Sequence, residues 1–88
     1  MGIDEEVIIV GRKPVMNYVL SAVVLFNQGI SRVIVKGKGE DISKAVDVAN
    51  SILERLGDTI KVKEIKIGSE NRKGKLVSFI SVILEKII

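Results

Sequence analysis

Two short basic segments carry the most pointed chemistry in this 88-residue chain. Gly11-Arg12-Lys13-Pro14 sets two cations where an apolar run breaks. A helix that begins there presents open N–H groups and the positive end of its dipole. Two cations beside that end oppose it unless a phosphate lies between them, so the pattern points to a bound polyanion. Two solvated side chains are the plain alternative. Gly68-Ser69-Glu70-Asn71-Arg72-Lys73-Gly74-Lys75 is the second segment, with Arg72, Lys73 and Lys75 inside four positions. Between long strands it makes a projecting β-ribbon with a basic tip, a shape that can enter a nucleic-acid groove with its cations on phosphates. An ordinary polar hairpin loop has the same composition. Asn17 interrupts an apolar helix one turn further in, where it can reach a phosphate or sugar, or satisfy a loop carbonyl. Lys36 and Lys38 extend the basic surface.

Other chemistries lack their residues. There is no Cys and no His. That removes disulfides, thiolate metal sites, thiol nucleophiles, the commonest general base and the Ser-His-Asp triad. With no Trp, one Tyr and two Phe, a stacking platform for single-stranded bases is poorly supplied. Asp47 and Glu54 share a helix face, but it is the solvent face opposite an Ile/Leu stripe. A metal-dependent nuclease needs a carboxylate cluster, and none is visible. Gly37-Lys38-Gly39 follows a strand like part of a dinucleotide fingerprint. However, Ile42 holds the third glycine position, and Glu40 and Asp41 would repel a pyrophosphate. No catalytic residue, metal or cofactor is expected.

The charge is segregated. Against a net charge of +3, residues 1–10 carry −3, 11–40 carry +4, 41–58 carry −2 and 59–88 carry +4. Such a layout suggests a basic face for a polyanion. The acidic start is unlike a signal peptide, and no apolar run is long enough to span a membrane. A cytoplasmic protein is expected.

The elements that position these groups follow from periodicity. Glu6–Val10 reads as a strand buried on both faces. Val15–Gln28 reads as a helix apolar on most sides, needing cover from more than one layer, with Gly29 after it. Arg32–Lys36 is a second strand, closed by Gly37-Lys38-Gly39. Asp41 caps a helix whose Ile42, Ala45, Val46, Ala49, Ile52, Leu53 and Leu56 make one clean stripe ending at Gly57. Ile60–Ile67 is a strand whose alternation slips near Lys63-Glu64, which predicts a bulge. Leu76–Ile88 is a long strand, apolar on both phases. One phase can cover the helices. The other, with Phe79 and Ile83, is expected to be covered by a second subunit.

The expected fold is α/β: a two-layer β-α-β-α-β-β sandwich over residues 1–88, one domain. A mixed four-stranded sheet carries both helices on one face, and a β3–β4 hairpin projects. Valine and isoleucine supply 27 residues, as a high sheet content requires. A chain this short buries only about 60–65% of its unfolded surface, which also favours a dimer.

The sequence resembles the Alba family of small archaeal chromatin proteins over nearly its whole length. Gly11-Arg-Lys-Pro-Val-Met-Asn-Tyr-Val-Leu20, Asn27-Gln-Gly29, Ile42-Ser-Lys-Ala-Val-Asp47 and Gly68-Ser69 before the basic hairpin carry the resemblance, in order. It implies a homodimer that coats and compacts double-stranded DNA at the nucleoid without sequence preference, and often binds RNA. The dimer body lies on the duplex and two hairpins reach toward the minor groove. Arg12 and Lys13 match the paired cations before the first helix, Arg72, Lys73 and Lys75 the hairpin cations, and Lys38 a basic residue before the second helix.

Three departures from the family matter. The family's regulatory acetylation falls on a lysine where this chain has Arg12, so an acetyltransferase and deacetylase would have to act on Lys13. Glu40 stands where some members carry a cation. Leu56 stands where some members pack dimers side by side through a phenylalanine. An RNA-binding protein of ribonucleoprotein particles is the alternative role, because a phosphate-reading surface does not separate the two.

Overall fold

The computed structural model describes residues 4–88. In chain order the elements are β1 (Glu5–Ile9), α1 (Val15–Asn27), β2 (Arg32–Lys38), α2 (Ile42–Leu56), β3 (Ile60–Arg72) and β4 (Lys75–Lys86), with a single 3-10 turn at Gly39–Asp41. The sheet order is β1-β2-β4-β3. β1 runs parallel to β2 through the α1 crossover, and the remaining pairs are antiparallel. The expected mixed sheet and element order are observed.

Both helices cover one face. Val19, Ala22 and Phe26 of α1 and Ala45, Val48, Ala49 and Ile52 of α2 are buried against Ile8, Val33, Val35, Val82 and Leu84. Removing several methylenes from a site such as Leu84 costs about 2–5 kcal/mol. The α2 stripe shifts slightly from expectation, because Val48 is fully buried and Val46 only partly so.

β1 is not buried on both faces. Ile8 and Val10 face the core while Val7 and Ile9 are exposed, because the helices form one layer and no other element among the described residues covers the other side. α1 departs likewise: Met16, Leu20 and Val24, four residues apart on one stripe, stay exposed. The bulge falls where the alternation slips, with the β3–β4 register shifting between Val62 and Glu64.

β2 continues through Gly37 and Lys38, beyond the expected stop. A Cβ on Gly37 would lie 2.5 Å from the Asp41 carbonyl oxygen and 2.7 Å from the Ala45 Cβ. Its bare Cα is what lets the start of α2 sit on the strand. Asp41 occupies the cap position of α2 but makes no side-chain capping hydrogen bond.

Candidate nucleic-acid interface

One end of the sheet gathers the basic segments. β1 and β2 both finish there, tied by the Val10 N–H donating to the Lys36 carbonyl at 2.8 Å. The Gly11–Pro14 loop leaves β1 at this end. Lys36 and Lys38 close β2, where Lys38 pairs with Phe79 of β4. Past Phe79 only β3 and β4 continue, so Ser69–Ser78 forms an arm clear of the other strands. Segments far apart in sequence thus share one edge of the molecule.

The loop is fastened from two sides. The Tyr18 hydroxyl accepts the Gly11 N–H at 2.9 Å and the Lys13 N–H at 3.1 Å. Lys44, from the first turn of α2, donates to the Gly11 carbonyl at 2.7 Å, with its ammonium 5.8 Å from the Tyr18 ring centroid. The loop carbonyl open to Asn17 in sequence is therefore met by Lys44, and Asn17 stays exposed on α1. Arg12 and Lys13 are exposed and have no ion-pair partner among the described residues. α1 has no acidic residue in its first turn and no side-chain cap. Two unpaired cations and an uncapped helix start thus sit together on a fixed backbone, which is what an anion needs.

The arm is strand almost to its tip. The polar composition of residues 68–75 predicts a loop, but pairing persists to Arg72 opposite Lys75, leaving Lys73-Gly74 as a two-residue turn. Both turn residues have positive φ, 50° and 80°. That suits the right-handed twist of a two-residue hairpin. The Asn71 carboxamide oxygen accepts the Gly74 N–H at 3.1 Å and closes the turn. Arg72, Lys73 and Lys75 are all exposed.

A carboxylate sits among the cations at the arm's base. Glu70 of β3 reaches Lys36 at 3.3 Å, Lys38 at 3.4 Å and Arg72 at 3.4 Å. Hydrogen bonds from Lys36 and then Lys38 hold its carboxyl below the ordinary carboxylate value, against the opposing pull of partial burial. The Lys36 ammonium also lies 5.0 Å from the Phe79 ring centroid. That ring lies across Gly68, where a Cβ would come within 2.9 Å of it.

A second ion cluster lies on the same sheet face at the far end of β2. Arg32 holds Glu85 at 2.6 Å and Glu5 at 3.3 Å, and Lys63 from the bulge adds a contact to Glu85 at 3.5 Å.

Tyr18, Lys44 and Glu70 were not singled out by sequence. Each left a trace: the only tyrosine, a lysine set against the dipole in a helix's first turn, and a lone acid in a basic hairpin.

The residues expected to meet a second subunit are less bare than their pattern suggested. Ile83 is only 7% exposed within one chain, flanked by Ile34 on β2 and Glu64 on β3. Phe79 is half-buried and Leu56 packs partly against the core. The large open apolar side chains include Ile65 and Ile67 on the helix side of β3, Leu76 on the arm, the α1 stripe, and Val7 and Ile9 on the open face of β1. Phase alone did not reveal this, because ion pairs crowd over one face while the helices stop short of the arm on the other.

Among the described residues no group of three or more Asp and Glu could hold a metal ion. No helix among the described residues is long and apolar enough to cross a membrane.

Comparison with known proteins agrees with this fold. The model of a family described as Alba matches residues 6–69. The DNA/RNA-binding protein Alba 2 of Saccharolobus solfataricus is 45% identical over 82 residues, covering 93% of this chain and 92% of that protein. Its counterpart in Saccharolobus shibatae is 46% identical over the same shares. Among solved structures, Alba from Thermoplasma volcanium superposes with a TM-score of 0.83 at 40% identity, covering 90% of this chain and 98% of that one. ALBA1 from Trypanosoma brucei shares the fold alone, with a TM-score of 0.79 at 21% identity over 98% of this chain and 71% of that one.

Proposed function

The chain belongs to the Alba family, and from that premise we propose that it is a non-enzymatic nucleic-acid-binding protein. It coats and compacts double-stranded DNA without sequence preference, at the nucleoid, and also binds RNA. The observation that carries this reading is the convergence of Arg12, Lys13, Lys36, Lys38 and the arm cations on one end of the sheet. The body contact is Arg12, Lys13 and Asn17 on their fastened loop and helix start. The arm contact is Arg72, Lys73 and Lys75 on a slender ribbon of groove-entering shape. The two Saccharolobus relatives are DNA/RNA-binding proteins, in keeping with a surface made for phosphates and not for base edges.

Self-association is part of the proposal. A second copy of this chain would cover the apolar surface left open on α1 and the arm, with Phe79 and Ile83 in or beside the contact and Leu56 available for packing between dimers. Lys13, exposed on its loop, is the residue there on which an acetyltransferase and a deacetylase could act.

The test is a salt titration of binding to duplex DNA, duplex RNA and single strands, with wild type and an Arg12→Ala/Lys13→Ala variant. Wild type binds duplexes of unrelated sequence equally. The variant binds all of them more weakly, and each lost phosphate contact flattens the slope of log affinity against log salt by about 0.9. A variant that keeps both affinity and slope overturns the footprint. Exclusive binding of RNA moves the role to ribonucleoprotein particles.

A further inference from the structure

We propose that Glu70 is a built-in competitor for phosphate: its carboxylate occupies, in the unliganded protein, an anion site formed by Lys36, Lys38 and Arg72, and nucleic acid must displace it. The inference rests on the nucleic-acid-binding reading and adds to it a residue that lowers affinity.

The geometry has three supports. First, one carboxylate meets three cations. One oxygen takes Lys36, and the other takes Lys38 and Arg72. A phosphodiester also offers two unesterified oxygens and a single negative charge, so it fits the same cations. With Glu70 seated the cluster still carries two positive charges, and it continues to attract an anion.

Second, two of the three cations stand on a different part of the molecule from the competitor, while Arg72 shares its strand. Lys36 and Lys38 project from β2, which is paired on both edges by β1 and β4. Lys36 also rests near the Phe79 ring, which the bare Gly68 backbone accommodates. Glu70 belongs to β3 at the root of the arm, a strand paired only by β4. Rotating the Glu70 side chain, or shifting the arm, vacates the site and leaves the two lysines in place.

Third, every side chain in the cluster is partly solvent-exposed, from 26% for the lysines to 58% for Arg72. Exchange of one anion for another therefore needs no opening of the core. Ion pairs this exposed contribute little to folding, so replacing Glu70 leaves the protein folded.

Glu70→Gln keeps the shape and removes the charge. Measured against one duplex DNA, it should bind about two- to fivefold more tightly than wild type, the range of a typical exposed ion pair. Its salt slope should steepen by about 0.9 for each lysine newly engaged. Glu70→Ser should move in the same direction, so the result does not depend on how one variant folds. Lys38→Gln should cost more affinity in the Glu70→Gln background than in wild type, because there the lysine faces phosphate without a rival. Unchanged or weaker binding by folded Glu70→Gln and Glu70→Ser, with Arg12→Ala/Lys13→Ala still impaired, overturns the competitor role and leaves the function standing. Wild-type protein that binds neither duplex DNA nor duplex RNA overturns the function itself.

Discussion

The two ion clusters on the open face of the sheet use the same residue types to opposite ends. Around Arg32, two cations meet two carboxylates, and the four side chains come one from each strand of the sheet: Glu5, Arg32, Glu85 and Lys63. About 13 Å along β2, four residues on, three cations surround the single carboxylate of Glu70. The first cluster is balanced and fastens strands together. The second is in surplus and waits for an anion from outside. A count of lysines and arginines does not separate them. The count of cations left over after local pairing does, and Arg12 and Lys13 are the extreme case, with no paired carboxylate among the described residues.

Removing the guanidinium of the balanced cluster tests that division most severely. Arg32→Met takes from Glu5 and Glu85 the guanidinium they share, leaving Glu85 with Lys63 alone. The thermal midpoint should fall by several degrees, while the salt slope of DNA binding stays at the wild-type value. A flattened slope would show that Arg32 contacts phosphate and would erase the distinction between the clusters.

Acid should then dissect the clusters by their carboxyls. The Arg32 hydrogen bond, and then Lys63, hold Glu85 below the ordinary 4.5. A carboxyl lowered in the folded state adds stability that is complete above its unfolded value and disappears as pH falls through the folded one. Thermal midpoints followed downward from pH 6 should therefore start to drop below about pH 4.5. Glu85→Gln should flatten that drop more than Glu70→Gln, since its contact to Arg32 is shorter and less exposed. Equal flattening would mean that both clusters are structural.

A smaller effect is expected from the surface that is free of pairing altogether. Tyr18→Phe removes the acceptor shared by the Gly11 and Lys13 N–H groups. Losing such hydrogen bonds costs about 0.5–1.5 kcal/mol each, which should appear as faster amide exchange at those two residues. Duplex affinity should drop severalfold with the salt slope kept, because Arg12 and Lys13 remain but are less well placed. The least change should follow Lys63→Ala. Its ion pair is the longest in the balanced cluster and involves an exposed lysine, so neither melting nor binding should shift measurably.

Much of the fold was legible because period and length agree in its elements. The α2 stripe, the glycine after α1 and the broken alternation at Lys63-Glu64 each named their structure. The exposed positions Arg12, Lys13, Arg72, Lys73 and Lys75 were legible as well, since glycines and a proline mark their turns. What stayed hidden depends on neighbours across strands. Lys36 and Lys38 look like open cations until β3 places Glu70 over them. Ile83 looks bare until Ile34 and Glu64 flank it. The extent of the arm was missed because Ser69–Arg72 is polar, and polar residues read as loop. In a ribbon with few apolar side chains to bury, backbone pairing, helped by the Glu70 ion pairs at its base, holds the strand.

The two-residue turn makes that ribbon adjustable. Nothing beyond Phe79 pairs with the rest of the sheet, so the number of cross-strand pairs between Gly68 and Arg72 alone sets how far the tip cations stand from the body. Each added pair moves the tip outward by about 3.4 Å, and two added pairs bring every side chain back to its original side. Lengthening by two residues in each strand would thus carry Arg72, Lys73 and Lys75 about 7 Å farther along a duplex with their orientation unchanged, whereas one residue in each strand would turn them over. The arm is a ruler with a fixed graduation, and divergent chains can reset its span without redesigning the sheet that carries it.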